Sequence, residues 1–106
     1  MRIIARSTLV RFADGLKGHR DHKAVQEALQ VWHHHASRAH WKNAADVRRS
    51  FAAASIVNAE RIVFNIKGND YRLIVAIDFE KSIIWIKWIG SHKDYDRIDA
   101  ARVSYD

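Results

Sequence analysis

The stretch from residue 61 to 89 constrains this chain most, because two turn signals divide it into alternating apolar and polar residues that only one strand register keeps sorted. If Gly68-Asn69 is a two-residue hairpin loop, a place that favours glycine and asparagine, Lys67 stands opposite Asp70 and Ile66 opposite Tyr71. The same count pairs Asn65 with Arg72, Phe64 with Leu73 and Ile62 with Val75. One face then collects Ile62, Phe64, Ile66, Tyr71, Leu73, Val75 and Ile77. The other shows Arg61, Asn65, Lys67, Asp70, Arg72 and Asp78 among Val63, Ile74 and Ala76. A second turn at Glu80-Lys81 leads into residues 83–89. Pairing Ile77 with Ile84 adds Ile84, Ile86 and Trp88 to the apolar face and Trp85 and Lys87 to the polar one. In this register Lys87 lies opposite Ile74, diagonal to Arg72, and the chain leaves the strand at Gly90-Ser91 to deliver His92.

Before residue 60 the pattern changes to helical spacing. Residues 1–6 are β-prone at Ile3 and Ile4 and read as an edge strand, though the pattern leaves open whether they join the sheet. Ser7 or Thr8 can cap a helix with Leu9, Phe12, Ala13 and Leu16 on one face and Gly18 at its stop. Asp21 can cap a longer helix to about residue 41, striped by Val25, Ala28, Leu29, Trp32, Ala36 and Ala39. Asn43 can cap a short third helix through Asp46, Val47 and Phe51, followed by a connection over residues 55–60. The fold class that follows is α+β: an N-terminal helical hairpin packed on one face of a small, mainly antiparallel sheet whose opposite face is open.

With 106 residues and no repeat or linker, residues 1–106 read as one domain. No run approaches the ~20 apolar residues of a membrane helix, and charge interrupts the first residues before a signal-type apolar region can build. The expectation is a soluble, cytoplasmic protein without a membrane partner. Eighteen basic against twelve acidic side chains give a net charge of +6, which favours polyanionic partners such as nucleic acid.

The polar sheet face offers Arg72, Lys67, Lys87 and Arg61 to phosphate oxygens, and the adjoining loop brings His92 and Lys93. Cleaving RNA without a metal requires removing the 2′-OH proton, stabilising charge on phosphorus and protonating the leaving 5′-oxygen. Arginine supplies paired fixed donors for the second task, and histidine exchanges a proton near neutrality for the first or third. Tyr95 can position a phosphate or stack on a base, and an exposed Trp85 can stack. The competing reading makes Arg72–Asn65 a solvated cross-strand pair and Lys67, Lys87 and Lys93 ordinary surface residues.

The run His33-His34-His35, near His22 and His40, invites a metal reading. Three consecutive helical residues point in three directions, and ligands on one ion need spacings of three or four. Neither metal nor cofactor is therefore expected. Nucleophile elbow, P-loop and Rossmann glycine patterns are absent from the sequence, as is a carboxylate cluster for magnesium.

The run Phe64-Asn65-Ile66-Lys67-Gly68-Asn69-Asp70-Tyr71-Arg72-Leu73-Ile74, followed by Ser91-His92-Lys93-Asp94-Tyr95-Asp96, resembles the HigB toxin family of bacterial toxin–antitoxin modules. That resemblance implies a RelE-like fold and a metal-independent endoribonuclease (mRNA interferase) acting on messenger RNA at the ribosome. It further implies neutralisation by a HigA-type helix-turn-helix antitoxin, and operator DNA binding through the complex. Asn65, Asn69, Arg72, His92, Tyr95 and Asp96 stand on the family pattern. The family more often carries threonine where this chain has Ser91. On this reading Arg72, His92, Tyr95 and Lys67 are the catalytic candidates, and Asn65, Lys87, Lys93, Arg61 and Trp85 the RNA-binding ones. Two alternatives stay open: a non-catalytic basic RNA- or DNA-binding module, and a toxin aimed at another target such as a topoisomerase.

Overall fold

The computed structural model describes residues 1–104. In chain order the elements are β1 (Arg2–Ile4), α1 (Arg6–Asp14), α2 (His22–Arg38), α3 (Ala44–Ser50), β2 (Ser55–Ile56), β3 (Arg61–Ile66), β4 (Tyr71–Asp78), β5 (Ile83–Ser91) and α4 (His92–Tyr95). The strands form one sheet in the order β1-β5-β4-β3-β2, in which β1 runs parallel to β5 and every other pair is antiparallel. Residues 2–4 thus join the sheet at its edge. The expected connection over residues 55–60 contains the other edge strand, β2.

In α2 the residues Val25, Leu29, Trp32 and Ala36 are buried, the spacing that aligns one helical face. The helix stops at Arg38 rather than near residue 41, because Ala39 is extended and the chain turns back to bury Trp41. The Trp41 indole N–H then donates to Ser50 Oγ. Helix α1 also differs from expectation. It begins one residue before Ser7, without a side-chain cap, and ends at Gly15, while Gly18 serves the following turn with a φ of +86° that favours glycine. Asn43 caps α3 as expected: its Oδ1 accepts from the Asp46 N–H, and Asp46 Oδ2 accepts from the Lys42 N–H.

Strands β3 and β4 hold the register read from their faces: Ile62–Val75, Phe64–Leu73, Asn65–Arg72 and Ile66–Tyr71. At the tip, the left-handed residues are Lys67 and Gly68 rather than Gly68 and Asn69. A positive φ at Lys67 breaks the strand's alternation there. Its ammonium consequently meets Asp21 at the start of α2 instead of joining the face that carries Asn65 and Arg72.

A larger correction falls on β5. Val75 pairs with Ile86 and Ile74 with Trp88, so Lys87 is the extra residue of a β-bulge and does not stand opposite Ile74. Beyond the bulge the two faces exchange. Ile89 enters the core opposite Leu73, and Trp88 moves to the face of Arg72.

The main core unites the helices with Ile62, Phe64, Ile66, Leu73, Val75, Ile77, Ile84, Ile86 and Ile89. The opposite sheet face is not wholly open. Val63 and Ile74 are buried there, outside the main cluster. The Arg61 guanidinium donates to the carbonyls of Ala100 and Val103, tying that segment to the start of β3.

Candidate functional site

The sequence candidates separate into two groups at opposite ends of the sheet. Arg61, Trp85 and Lys87 line one hollow with Glu60, Asp78 and Phe79. Arg72, His92, Lys93, Tyr95 and Asn65 gather at the other end, where β4 begins, β5 ends and α4 follows. Four residues of extended chain separate Arg61 from Asn65, roughly 13 Å from backbone to backbone. Arg61, like Arg72, donates to two backbone carbonyls, here those of Ala100 and Val103.

At the second end, backbone pairing does the positioning. Arg72 is paired with Gly90 and Tyr71 with Ser91. The His92 N–H donates to the Asp70 carbonyl at 2.8 Å, which anchors the first residue of α4 to the hairpin. Ser91 caps that helix, its Oγ accepting from the Asp94 N–H at 3.1 Å, so the hydroxyl has a structural use at the position where the family more often has threonine. One turn later Tyr95 brings its ring beneath Arg72, with the guanidinium carbon 5.7 Å from the ring centroid. The same guanidinium donates to the carbonyls of Asn69 (2.8 Å) and Tyr71 (3.3 Å). His92 is exposed, and its Nδ1 lies 3.6 Å from Asp96 Oδ2.

His92 and Lys93 line an open hollow with Asp21, Asp70, Tyr71 and Asp96. Arg72 is not among its lining residues. The short α4, which carries both His92 and the Tyr95 ring under Arg72, links the two groups. Neither group is sealed beneath the helices.

Lys67 does something other than what its sequence position suggests. Its Nζ donates to Asp70 at 2.7 Å and sits 3.4 Å from Asp21, whose other oxygen accepts from the Tyr71 hydroxyl at 2.9 Å. The hydrogen bond to Asp70 and the charge of Asp21 hold the Lys67 ammonium above the ordinary lysine range. Burial, then the bond to Asp21, raises the Tyr71 phenol. This cluster braces the hairpin against the start of α2. Asp21 is therefore a hairpin anchor rather than a side-chain helix cap.

Hydrogen bonding from Tyr71, reinforced by Lys67, outweighs desolvation and holds the Asp21 carboxyl below its ordinary 3.8. A carboxyl depressed in the fold contributes stability above its unfolded value and loses it as pH falls through the folded one. Thermal melts should accordingly show wild type losing stability below about pH 4 more steeply than Asp21→Asn. Parallel pH curves for the two proteins would remove Asp21 from this role.

Trp88 was missed by the regular register, although a signal existed. Ile86 and Ile89 are three apart, and no regular strand buries both on one face. The Trp88 ring centroid lies 6.3 Å from that of Tyr95, tilted by 52°, and its six-membered ring covers Gly90.

Of the consecutive histidines of α2, His34 and His35 meet edge to face with centroids 5.5 Å apart. His34 meets Arg38, and His35 packs edge-on to Phe51. Burial, then the charge of Arg6, pushes His33 below the usual histidine range. Among the described residues, no three His, Cys, Asp or Glu side chains are grouped to hold a metal ion. Nor is any helix among them long and apolar enough to cross a membrane.

No curated protein is similar enough to count as a match. The sequence model for the HigB toxin, described as the RelE-like toxic component of a toxin-antitoxin system, matches residues 25–98. The match spans all but the first three residues of α2, the whole hairpin and α4, and the four helices with a mostly antiparallel five-stranded sheet agree with a RelE-like architecture. Covering well over half of the sequence and the end of the sheet where Arg72, Tyr95 and His92 gather, that match establishes that the chain belongs to the HigB toxin family.

Proposed function

We propose that this toxin is a metal-independent endoribonuclease that cuts messenger RNA on the ribosome in the cytoplasm, and that a HigA-type antitoxin neutralises it. The observation that carries the reading is local. A partly exposed arginine on the Tyr95 ring and an exposed histidine beside Asp96 are held by one short helix and the strands that flank it. Arg72 binds the non-bridging phosphate oxygens and stabilises the charge that builds on phosphorus. To do so it exchanges the carbonyls of Asn69 and Tyr71 for phosphate oxygens. His92 moves the proton of the 2′-OH or of the leaving 5′-oxygen, with Asp96 orienting its ring. The 2′-oxygen forms the new bond to phosphorus as the bond to the 5′-oxygen breaks, leaving a 2′,3′-cyclic phosphate and a 5′-hydroxyl. Asn65 and Lys93 flank the path of the strand. Lys67 is assigned to bracing the hairpin, and Arg61, Lys87 and Trp85 offer contacts farther along the path of the strand. The ribosome supplies positioning toward in-line geometry, and the antitoxin complex binds its own operator DNA.

The test is expression with and without the adjacent open reading frame, followed by mapping of RNA 5′ ends. New 5′-hydroxyl ends are expected only when the toxin is expressed alone, and they should vanish in a folded His92→Gln variant. Transcripts that are protected but uncut would point instead to a non-catalytic nucleic-acid binder. Intact transcripts alongside DNA damage would point to a topoisomerase-type target.

A further inference from the structure

The bulge at Lys87 places a large aromatic ring on the same sheet face as Arg72. Trp88 is half-buried there, and Gly90, the ladder partner of Arg72, lies under it. A Cβ at residue 90 would stand 2.5 Å from Cη2 and 2.6 Å from Cζ2 of the indole, so the ring can lie flat on the strand only over glycine. Tyr95 meets Trp88 at a tilt and carries the Arg72 guanidinium 5.7 Å from its own centroid. An indole, a phenol and a phosphate-binding cation therefore follow one another along the surface.

We propose that Trp88 is the floor, and Tyr95 the wall, of a subsite for one unstacked nucleobase next to the phosphate held by Arg72. The proposal rests on the reading of this face as an RNA site. With 6.3 Å between centroids, the two rings leave no room for a base sandwiched between them, which needs about 7 Å. The base lies instead on the outward side of the indole, its edge toward the Tyr95 ring. Stacking of this kind tolerates any base, because every base has a π-face. The subsite thus sets the position of the cut relative to a flipped nucleotide rather than a strict sequence.

The probe is a short single-stranded oligoribonucleotide with 2′-O-methyl groups, which cannot be cleaved, together with a matched oligonucleotide carrying an abasic residue. Stacking worth about 1–3 kcal/mol corresponds to roughly 5- to 150-fold in affinity. Trp88→Leu should lose that much, Trp88→Phe should retain most of it, and wild type should show the same loss on the abasic probe. Gly90→Ala should behave like Trp88→Leu, since it displaces the ring without altering it. Trp85→Phe should leave quenching of indole fluorescence by the probe intact, whereas Trp88→Phe abolishes it. Equal affinity of wild type for the two probes overturns the proposal even if Trp88→Leu fails to fold. So does loss of antitoxin binding with RNA affinity unchanged, which would make this a protein contact. If Trp88→Leu cuts RNA at unaltered positions and rates, the subsite falls while the nuclease stands. If base-dependent binding occurs without cleavage of unmodified RNA on ribosomes, the nuclease falls while the subsite stands.

Discussion

Replacing Arg72 with alanine is expected to raise the barrier to RNA cleavage by about 3–4 kcal/mol, a loss of roughly 10²- to 10³-fold in kcat. The size follows from removing a donor aimed at charge that exists fully only in the transition state. Arg72 is partly exposed, and its bonds go to carbonyls at the hairpin tip, so the variant should fold. Arg72→Lys is expected to recover only part of the rate. An ammonium keeps the charge, but it cannot span two phosphate oxygens with the fixed paired donors of a guanidinium. Single-turnover cleavage on programmed ribosomes measures this directly. A folded Arg72→Ala protein within tenfold of wild type would take the residue out of the chemistry.

The second large effect concerns stability. Phe64 is 1% exposed and touches three other rings, with centroids 5.4 Å away at Trp32, 6.3 Å at Trp41 and 5.1 Å at Phe51. These rings come from α2, the segment after it and the residue that ends α3, so one strand side chain joins the helical layer to the sheet. Truncation to alanine removes that contact and leaves a cavity between rigid neighbours, at a cost of about 3–5 kcal/mol. Chemical denaturation should show the midpoint falling with little change in slope. A loss under about 1 kcal/mol would mean that the neighbouring rings collapse into the space.

Much of this could be read from the chain because a hairpin is a local object. The pairing of Asn65 with Arg72 needs only the alternation on each side of one turn. The α2 stripe needs only helical spacing, and the Asn43 cap only its own side chain. The candidate site was legible where it depended on such pairing: Arg72 beside Gly90, and His92 just past Ser91. It was misread where a backbone irregularity intervened. A left-handed Lys67 sent one cation to Asp21, and a bulge at Lys87 dropped that residue from its expected pairing and raised Trp88 in its place.

What the sequence determined by itself was therefore the buried stripe of α2, the β3–β4 register and the family pattern around Arg72 and His92, since each depends on neighbours close along the chain. The tertiary structure alone decided that β1 joins β5, that Arg61 holds the carbonyls of Ala100 and Val103, and that Arg61 and Lys87 line a different hollow from His92 and Lys93. Those outcomes turn on contacts between residues far apart in sequence. The winning arrangement there is the one that satisfies Arg61 and Lys67 together, and no local pattern encodes that choice.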